Sequence, residues 1–427
     1  MLGVVLSHVD DLLCGGGEEA RNSILSLEAE LGFGSIERNS FNYCGKHISQ
    51  DLETGVVTVS MEEYHSNLKT VPIPVHRKSD PAAALTPGEQ KQLRGLLGSL
   101  QWLVAQVRVD HGFGLSVLQG EQPNVGTLMK ANALAKRMKS YGNFSLKFRP
   151  MELEGCGVVV VTDSSLGNVT KSGGDRSMKE KTYSQSSFFV ILADKNLMNG
   201  KEGAFCLIDT RSHRLPKVCR STFGAELLGG EEAFDVGQYV RGAMADFFGY
   251  PMETRHVDAI LDMIPLTVVT DAKDTFDKCS SDTPSFGSQK SLAFTTTWIR
   301  SILRRPNTSL RWSAAENMFV DAGAKDMDLS HLQSILTKGR WNACYSASFI
   351  KKSNKGGKKL GSVSADAVLP GEPLTESHSV FPYLHRLSEA TGWHFQGSAA
   401  IQVARNARSY RSPVPRLDPK KLSLIHI

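Results

Sequence analysis

Cys156 is followed by Gly157-Val158-Val159-Val160-Val161-Thr162, an unbroken apolar run of strand length that ends on an aspartate, Asp163. A run this short and this rich in β-branched residues reads as a strand that the fold must bury. A buried strand needs partners and a cover, and the following residues supply both. Ser187–Ala193 and Ala204–Thr210 read as two more strands, and 222–248 as a long helix. Leu266–Thr270 is a strand ending at Asp271, 291–303 a helix and Leu310–Ser313 a last short strand, and Asp321 opens a final helical segment. Strands and helices in that order over 155–328 define an α/β (α+β) domain, which we place at 155–345.

Upstream the periodicity differs. Met1-Leu2-Gly3-Val4-Val5-Leu6 is stopped by His8-Val9-Asp10-Asp11, and Leu12-Leu13-Cys14 resumes before Gly15-Gly16-Gly17. The expectation is a strand, a tight acidic turn and a returning strand, not a signal peptide. Residues 18–31 carry apolar side chains at helical spacing, and 41–48 and 56–59 read as strands. Leu93, Leu96, Leu97, Leu100, Leu103 and Val104 then recur at three and four residues, which predicts an amphipathic helix. Thr86-Pro87-Gly88-Glu89 supplies its start, with Thr86 as N-cap, Pro87 at the first helical position and Glu89 closing a capping box. Residues 128–138 read as a second helix, ending near Gly142.

A chain of 427 residues can bury more than one core, so the expectation is two domains, 1–150 and 155–345, followed by a tail at 346–427. The tail opens on the basic, glycine-containing run Lys351–Lys359, loses periodicity and reads as mostly disordered, with one short helix at 381–395. Charged residues at 22% and hydrophobic residues at 41% are those of an ordinary soluble domain. The balance of 49 Lys+Arg against 44 Asp+Glu, a net +5, is compatible with a polyanionic partner without requiring one. Seven scattered cysteines without a C-x-x-C pair argue against a disulfide framework or a zinc site, and for reduced thiols in an intracellular protein, cytoplasmic or nuclear. No apolar run reaches membrane-spanning length.

The chemistry lies in four acids. Hydrolysis of a phosphodiester by two metal ions needs several carboxylates at one spot, because two divalent cations about 4 Å apart must be held by anionic oxygens. Asp163 ends a strand, Glu226 falls in the first turn of the long helix, Asp271 ends another strand and Asp321 follows the last one. Each sits where a rigid element meets a loop, beside an apolar run that would be buried. Taken singly, each reads as one more surface acid; as an ordered set they read as a metal centre.

At these residues the sequence resembles a known family. Val161-Thr162-Asp163-Ser164-Ser165, Arg220-Ser221-Thr222-Phe223-Gly224-Ala225-Glu226-Leu227, Val268-Val269-Thr270-Asp271 and Asn317-Met318-Phe319-Val320-Asp321-Ala322 resemble the four blocks of the ribonuclease H of copia-type (Ty1/copia) LTR retrotransposons. The helix block of that family reads S-[ST]-x-E-A-E-[LY], which 221–227 follows closely. The resemblance implies a mixed five-stranded sheet with helices, cleavage of RNA in RNA–DNA hybrids, and Mg²⁺ (or Mn²⁺) held by Asp163, Glu226, Asp271 and Asp321.

The first 150 residues carry a second resemblance. His8-Val9-Asp10-Asp11 is similar to the Y-V-D-D turn of reverse transcriptases, where a paired acid binds metals by the same logic, which would make Asp10 and Asp11 ligands. Phe41-Asn42-Tyr43-Cys44-Gly45 lies where the family has F-L-G, and Leu93-Arg94-Gly95-Leu96-Leu97-Gly98-Ser99-Leu100-Gln101-Trp102-Leu103 resembles its Y-R-x-L-V-G-S-L-x-Y-L. The implied part is a truncated reverse transcriptase, the C-terminal palm with thumb and connection helices, from which no DNA synthesis is expected. The whole then reads as a Pol polyprotein fragment; the alternative is a decayed or domesticated remnant that binds nucleic acid or a partner without catalysis.

Other features are set aside. Gly15-Gly16-Gly17 is not followed by Gly-Lys-Ser/Thr, so it is no phosphate loop, and Ser212-His213 and His256 lack a G-x-S-x-G elbow. Trp102, Trp298 and Trp312 read as core. Lys130, Lys136, Arg137 and Lys139 on the second helix are candidates for contact with a nucleic-acid backbone, weighed against a solvated face.

Overall fold

The computed structural model describes residues 3–140, 144–152, 155–171, 181–248, 257–281, 283–287, 289–343, 368–370 and 423–426. The basic run at 351–359, the short helix at 381–395 and His256 lie outside the described residues. The chain divides into two compact units, and the smaller contains residues up to 39, 50–55 and the segment around 423–426.

In the smaller unit Gly3–His8 pairs antiparallel with Asp11–Gly16, and His8 stands opposite Asp11. The turn is therefore Val9-Asp10, and Asp11 already belongs to the returning strand. Val9 bends the chain with φ +58°, which costs a β-branched residue more than most. The helical spacing at 18–31 yields two short helices, Glu18–Leu25 and Glu28–Leu31, and Ile24 packs on Cys14.

In the larger unit, 41–48 is a hairpin and not one strand. Ser40–Tyr43 and Lys46–Gln50 fold back at Cys44-Gly45, both with positive φ (+49° and +73°), the geometry of a two-residue turn matched to strand twist. Val57–Ser60 and Ser145–Phe148 complete that four-stranded sheet. Helix α1 (Pro87–Gln106) begins as expected: Thr86 Oγ1 accepts the Glu89 N–H, and Glu89 Oε2 accepts the Thr86 N–H at 2.8 Å. No helix is expected at α2 (Gly112–Gly120), whose three glycines dilute its periodicity; α3 (Val125–Ser140) begins three residues before the expected start at Leu128.

The main sheet is built from β1 (Gly157–Lys171), β2 (Lys181–Ala193), β3 (Glu202–Arg214), β4 (Leu266–Thr270) and β5 (Thr308–Trp312), with α4 (Thr222–Phe247) and α5 (Leu292–Leu303) crossing between strands. Two three-residue strands, β6 (Arg340–Asn342) and β7 (Val368–Pro370), extend its edges, so the expected five strands sit within seven in the order β6-β3-β2-β1-β4-β5-β7. The sheet is mixed: β2 runs antiparallel to both β1 and β3, while β1, β4 and β5 run parallel. The first three strands are longer than their apolar stretches suggested. Their extensions are polar: buried Ser164 Oγ donates to Ser186 Oγ, and Gln185 Nε2 donates to the hydroxyls of Ser116 and Ser212.

Alternation along the strands divides the core. Val158, Val160, Val268 and Leu310 face Leu227, Phe234 and Ile299 of α4 and α5. Val159, Val161, Phe189 and Val269 face the other way, into a core continuous with Leu100, Leu103, Leu128 and Met138 of α1 and α3. After β5 come α6 (Asp321–Ala324) and α7 (Ser330–Lys338). Trp102 and Trp298 are not core residues: they are 42% and 36% exposed, because Leu96, Leu100 and Leu103 already fill the inward stripe of α1 and Ile299 and Leu303 that of α5. Trp312 is half-buried and bonded near the site.

Candidate metal centre

The parallel register of β1 and β4 places Val269 opposite Val161. Two residues further along each strand direction are Asp271 and Asp163, side by side at the sheet's centre. The chain bends directly after β4, where Trp312 Nε1 donates to the Asp271 carbonyl at 2.9 Å and the Ala272 N–H donates to Thr270 Oγ1 at 3.1 Å.

Glu226 arrives from α4, where it opens the second turn and does not lie in the first. The helix start is fixed by Ser221, whose Oγ accepts the Gly224 N–H at 3.0 Å and a bond from Gln289 Nε2 at 2.8 Å. Close approach of helix and sheet needs Gly229, where a Cβ would collide with the hydroxyls of Ser164 and Ser186. At that distance Glu226 Oε2 accepts the Ser164 N–H at 3.2 Å.

Asp163, Glu226 and Asp271 thereby come together, with one carboxylate oxygen of each within 4.8 Å of the others. Asp163 and Glu226 are buried and Asp271 half-buried. Asp321 stands outside that group and is joined to it by Lys325, which the sequence reading missed. Lys325 Nζ lies 3.1 Å from Asp163 Oδ2, 3.3 Å from Asp163 Oδ1 and 3.5 Å from Asp321 Oδ2. Its one sequence signal is the four-residue spacing from Asp321.

Burial is the main force on every acid here, and it disfavours the charged form. It raises Asp163 against the pull of Lys325, and raises Glu226 well above its ordinary value with help from Asp163 and Asp271. Burial and then the Asp163 charge push Asp271 up to about 6 and Asp321 up to about 7. Burial also opposes the Lys325 charge, but Asp163 and Asp321 outweigh it and hold its pKa above the usual lysine range. Asp321 Oδ1 is buried without a hydrogen-bond donor, and Asp163 Oδ2 has only the Lys325 ammonium beside it. An all-oxygen, mutually repelling donor set fits a hard divalent cation such as Mg²⁺ or Mn²⁺.

The other candidates lie elsewhere. Asp10 is exposed at the hairpin turn with Asp11 beside it, and among the described residues neither belongs to a group of three or more side chains that could hold a metal ion. Lys130, Lys136, Arg137 and Lys139 are all exposed on α3; Lys130 pairs with Glu121 at 2.6 Å and Lys139 donates to the Ser66 carbonyl at 3.0 Å. The described cysteines, Cys14, Cys44, Cys156, Cys206, Cys219 and Cys279, are free thiols. Among the described residues no helix is long and apolar enough to cross a membrane.

No protein-family profile matches the chain, and no curated protein does. A solved structure similar to it is the foamy viral protease-reverse transcriptase dRH in complex with double-stranded DNA, at 12% identity and a TM-score of 0.37, covering 69% of this chain and 42% of that one. The chain thus matches less than half the length of that structure, and at this TM-score the likeness carries no functional weight.

Proposed function

We propose that the chain is a metal-dependent nuclease of ribonuclease H type that hydrolyses the RNA strand of RNA–DNA hybrids, within a copia-type Pol fragment. The observation that carries this reading is the convergence of Asp163, Glu226 and Asp271, from two strands and a helix, within 4.8 Å. These three acids, the outer two 108 positions apart in sequence, are gathered in a buried site where they raise one another's pKa. A bound divalent cation would offset that repulsion beyond what Lys325 supplies.

In this reading Asp163, Glu226 and Asp271 hold Mg²⁺ or Mn²⁺, with Asp321 as the fourth acid. The bound cation would supply Lewis-acid stabilisation of charge developing on the scissile phosphate. The chain's own contribution is rigidity: β1 and β4 fix Asp163 and Asp271, and the Ser164 N–H orients Glu226. Exposed Lys130, Lys136, Arg137 and Lys139 are proposed to contact the hybrid's phosphates, at residues 1–150 of a truncated reverse-transcriptase part that precedes the nuclease at 155–345. Asp10 and Asp11 are proposed as the polymerase remnant, and no primer extension is expected.

The test is cleavage of labelled RNA–DNA hybrid, single-stranded RNA and duplex DNA of one sequence, with Mg²⁺ or Mn²⁺. The expected result is internal cleavage of RNA in the hybrid alone, stopped by EDTA. An intact hybrid under both metals would refute the reading and favour a remnant that binds without cutting.

A further inference from the structure

Three of the four acids form one group of donor oxygens, and the fourth does not join it directly. What connects Asp321 to Asp163 is the Lys325 ammonium, within 3.1 to 3.5 Å of both. We infer that Lys325 fills one of the two cation positions of this carboxylate cluster, so that the chain binds one divalent ion tightly and a second only by displacing the ammonium. The inference rests on the metal reading of the site given above.

The placement is built in by the backbone. Lys325 caps the C-terminus of α6, and its N–H donates to the Asp321 carbonyl at 2.9 Å, which holds the two side chains on one short turn. That turn is seated against β2 by Gly323, where a Cβ would collide with the Ser187 hydroxyl, and Ser187 is the residue paired with Asp163. The ammonium is thus delivered to Asp163 from the face opposite α4, the helix that brings Glu226. A divalent ion between Asp163 and Asp321 would need the same carboxylate oxygens, and two cations a few ångströms apart repel. The Lys325 side chain is 40% exposed, so its route out of the cluster leads to solvent.

The experiment is Mn²⁺ binding to the full chain at fixed ionic strength, read by equilibrium dialysis and electron paramagnetic resonance, for the wild type, Lys325→Met and Lys325→Arg. The wild type and Lys325→Arg are expected to bind one Mn²⁺ tightly and a second about tenfold or more weakly. Lys325→Met should bind two with the second tightened at least about tenfold, and should show the spin-coupled signal of adjacent ions. Lys325→Gln serves in its place if circular dichroism shows that Lys325→Met fails to fold. Two equally tight ions in the wild type, or an unchanged second site on removing the ammonium, would overturn the inference while leaving the metal centre intact. No Mn²⁺ bound by any form would refute the metal centre itself.

Discussion

Glu226 Oε2 accepts the backbone N–H of Ser164 at 3.2 Å, so the acid carried by α4 is tied to the residue that follows Asp163 in β1. Glu226→Gln keeps an oxygen for that bond and removes the charge. The variant should fold, and without metal at pH 8 it should melt at or above the wild-type temperature, because a buried repulsion is gone. Losing an outer partner of a metal ligand costs about 10–100-fold in affinity, so losing a ligand should cost at least about 100-fold in Mg²⁺ affinity. Calorimetric melting and metal titration check the two halves.

The acids also set a pH dependence. Asp271 and Asp321 are pushed up to about 6 and about 7 in the fold, against about 3.9 for aspartate in an unfolded chain. The folded state therefore holds more protons than the unfolded state in this window, and stability falls as pH rises from about 4 through about 7. Thermal melts in EDTA between pH 4 and 8 should show this fall, with a shallower slope for Asp321→Asn and a smaller fall with Mg²⁺ present. An identical slope for Asp321→Asn would remove Asp321 from the cluster.

Gly323 is required by packing. A Cβ there would overlap the Ser187 hydroxyl, and relief means moving α6, which carries Asp321 and Lys325. Gly323→Ala should destabilise by about 1–3 kcal/mol, the range for overpacking a well-packed site. Adding Ser187→Gly should recover most of the loss in a chemical-denaturation series.

Arg108 and Asp110 tie the segment between α1 and α2 to α7. Arg108 Nε and Nη2 donate to the two Asp110 oxygens at 3.0 and 2.9 Å, and Gln333 Nε2 of α7 donates to Asp110 Oδ2 at 2.8 Å. Both charged side chains are fully buried, so Asp110→Ala strands the arginine and should cost about 3–5 kcal/mol. Because α1 and α3 share a core with β1, β2 and β4, the loss should shift one unfolding transition of this unit and not split it.

Much of this was legible in the sequence where local chemistry and burial agree. The Thr86–Glu89 capping box, the β4 strand and the placing of Asp271 at its end follow from patterns a few residues long, whereas Asp163, expected at a strand end, lies inside β1, which runs on through polar residues to Lys171. Legibility fails where the cause is tertiary. Lys325 gains its meaning from Asp163, 162 positions away. Trp102 and Trp298 occupy helix faces whose inward stripe was already filled, which hydrophobicity does not reveal. The polar halves of β1, β2 and β3 are held by ladder pairing and buried serine contacts, which leave no apolar alternation to read.

The central claim is that Asp163 and Glu226 belong to one hydrolytic metal centre. The direct measurement is the initial rate of RNA cleavage in an end-labelled RNA–DNA hybrid with Mg²⁺, for the wild type, Asp163→Asn and Glu226→Gln purified alike. The account predicts cleavage by the wild type and a loss of about 100-fold or more in each variant with folding retained. Wild-type cleavage matched by both variants, or no wild-type cleavage at all, would contradict it.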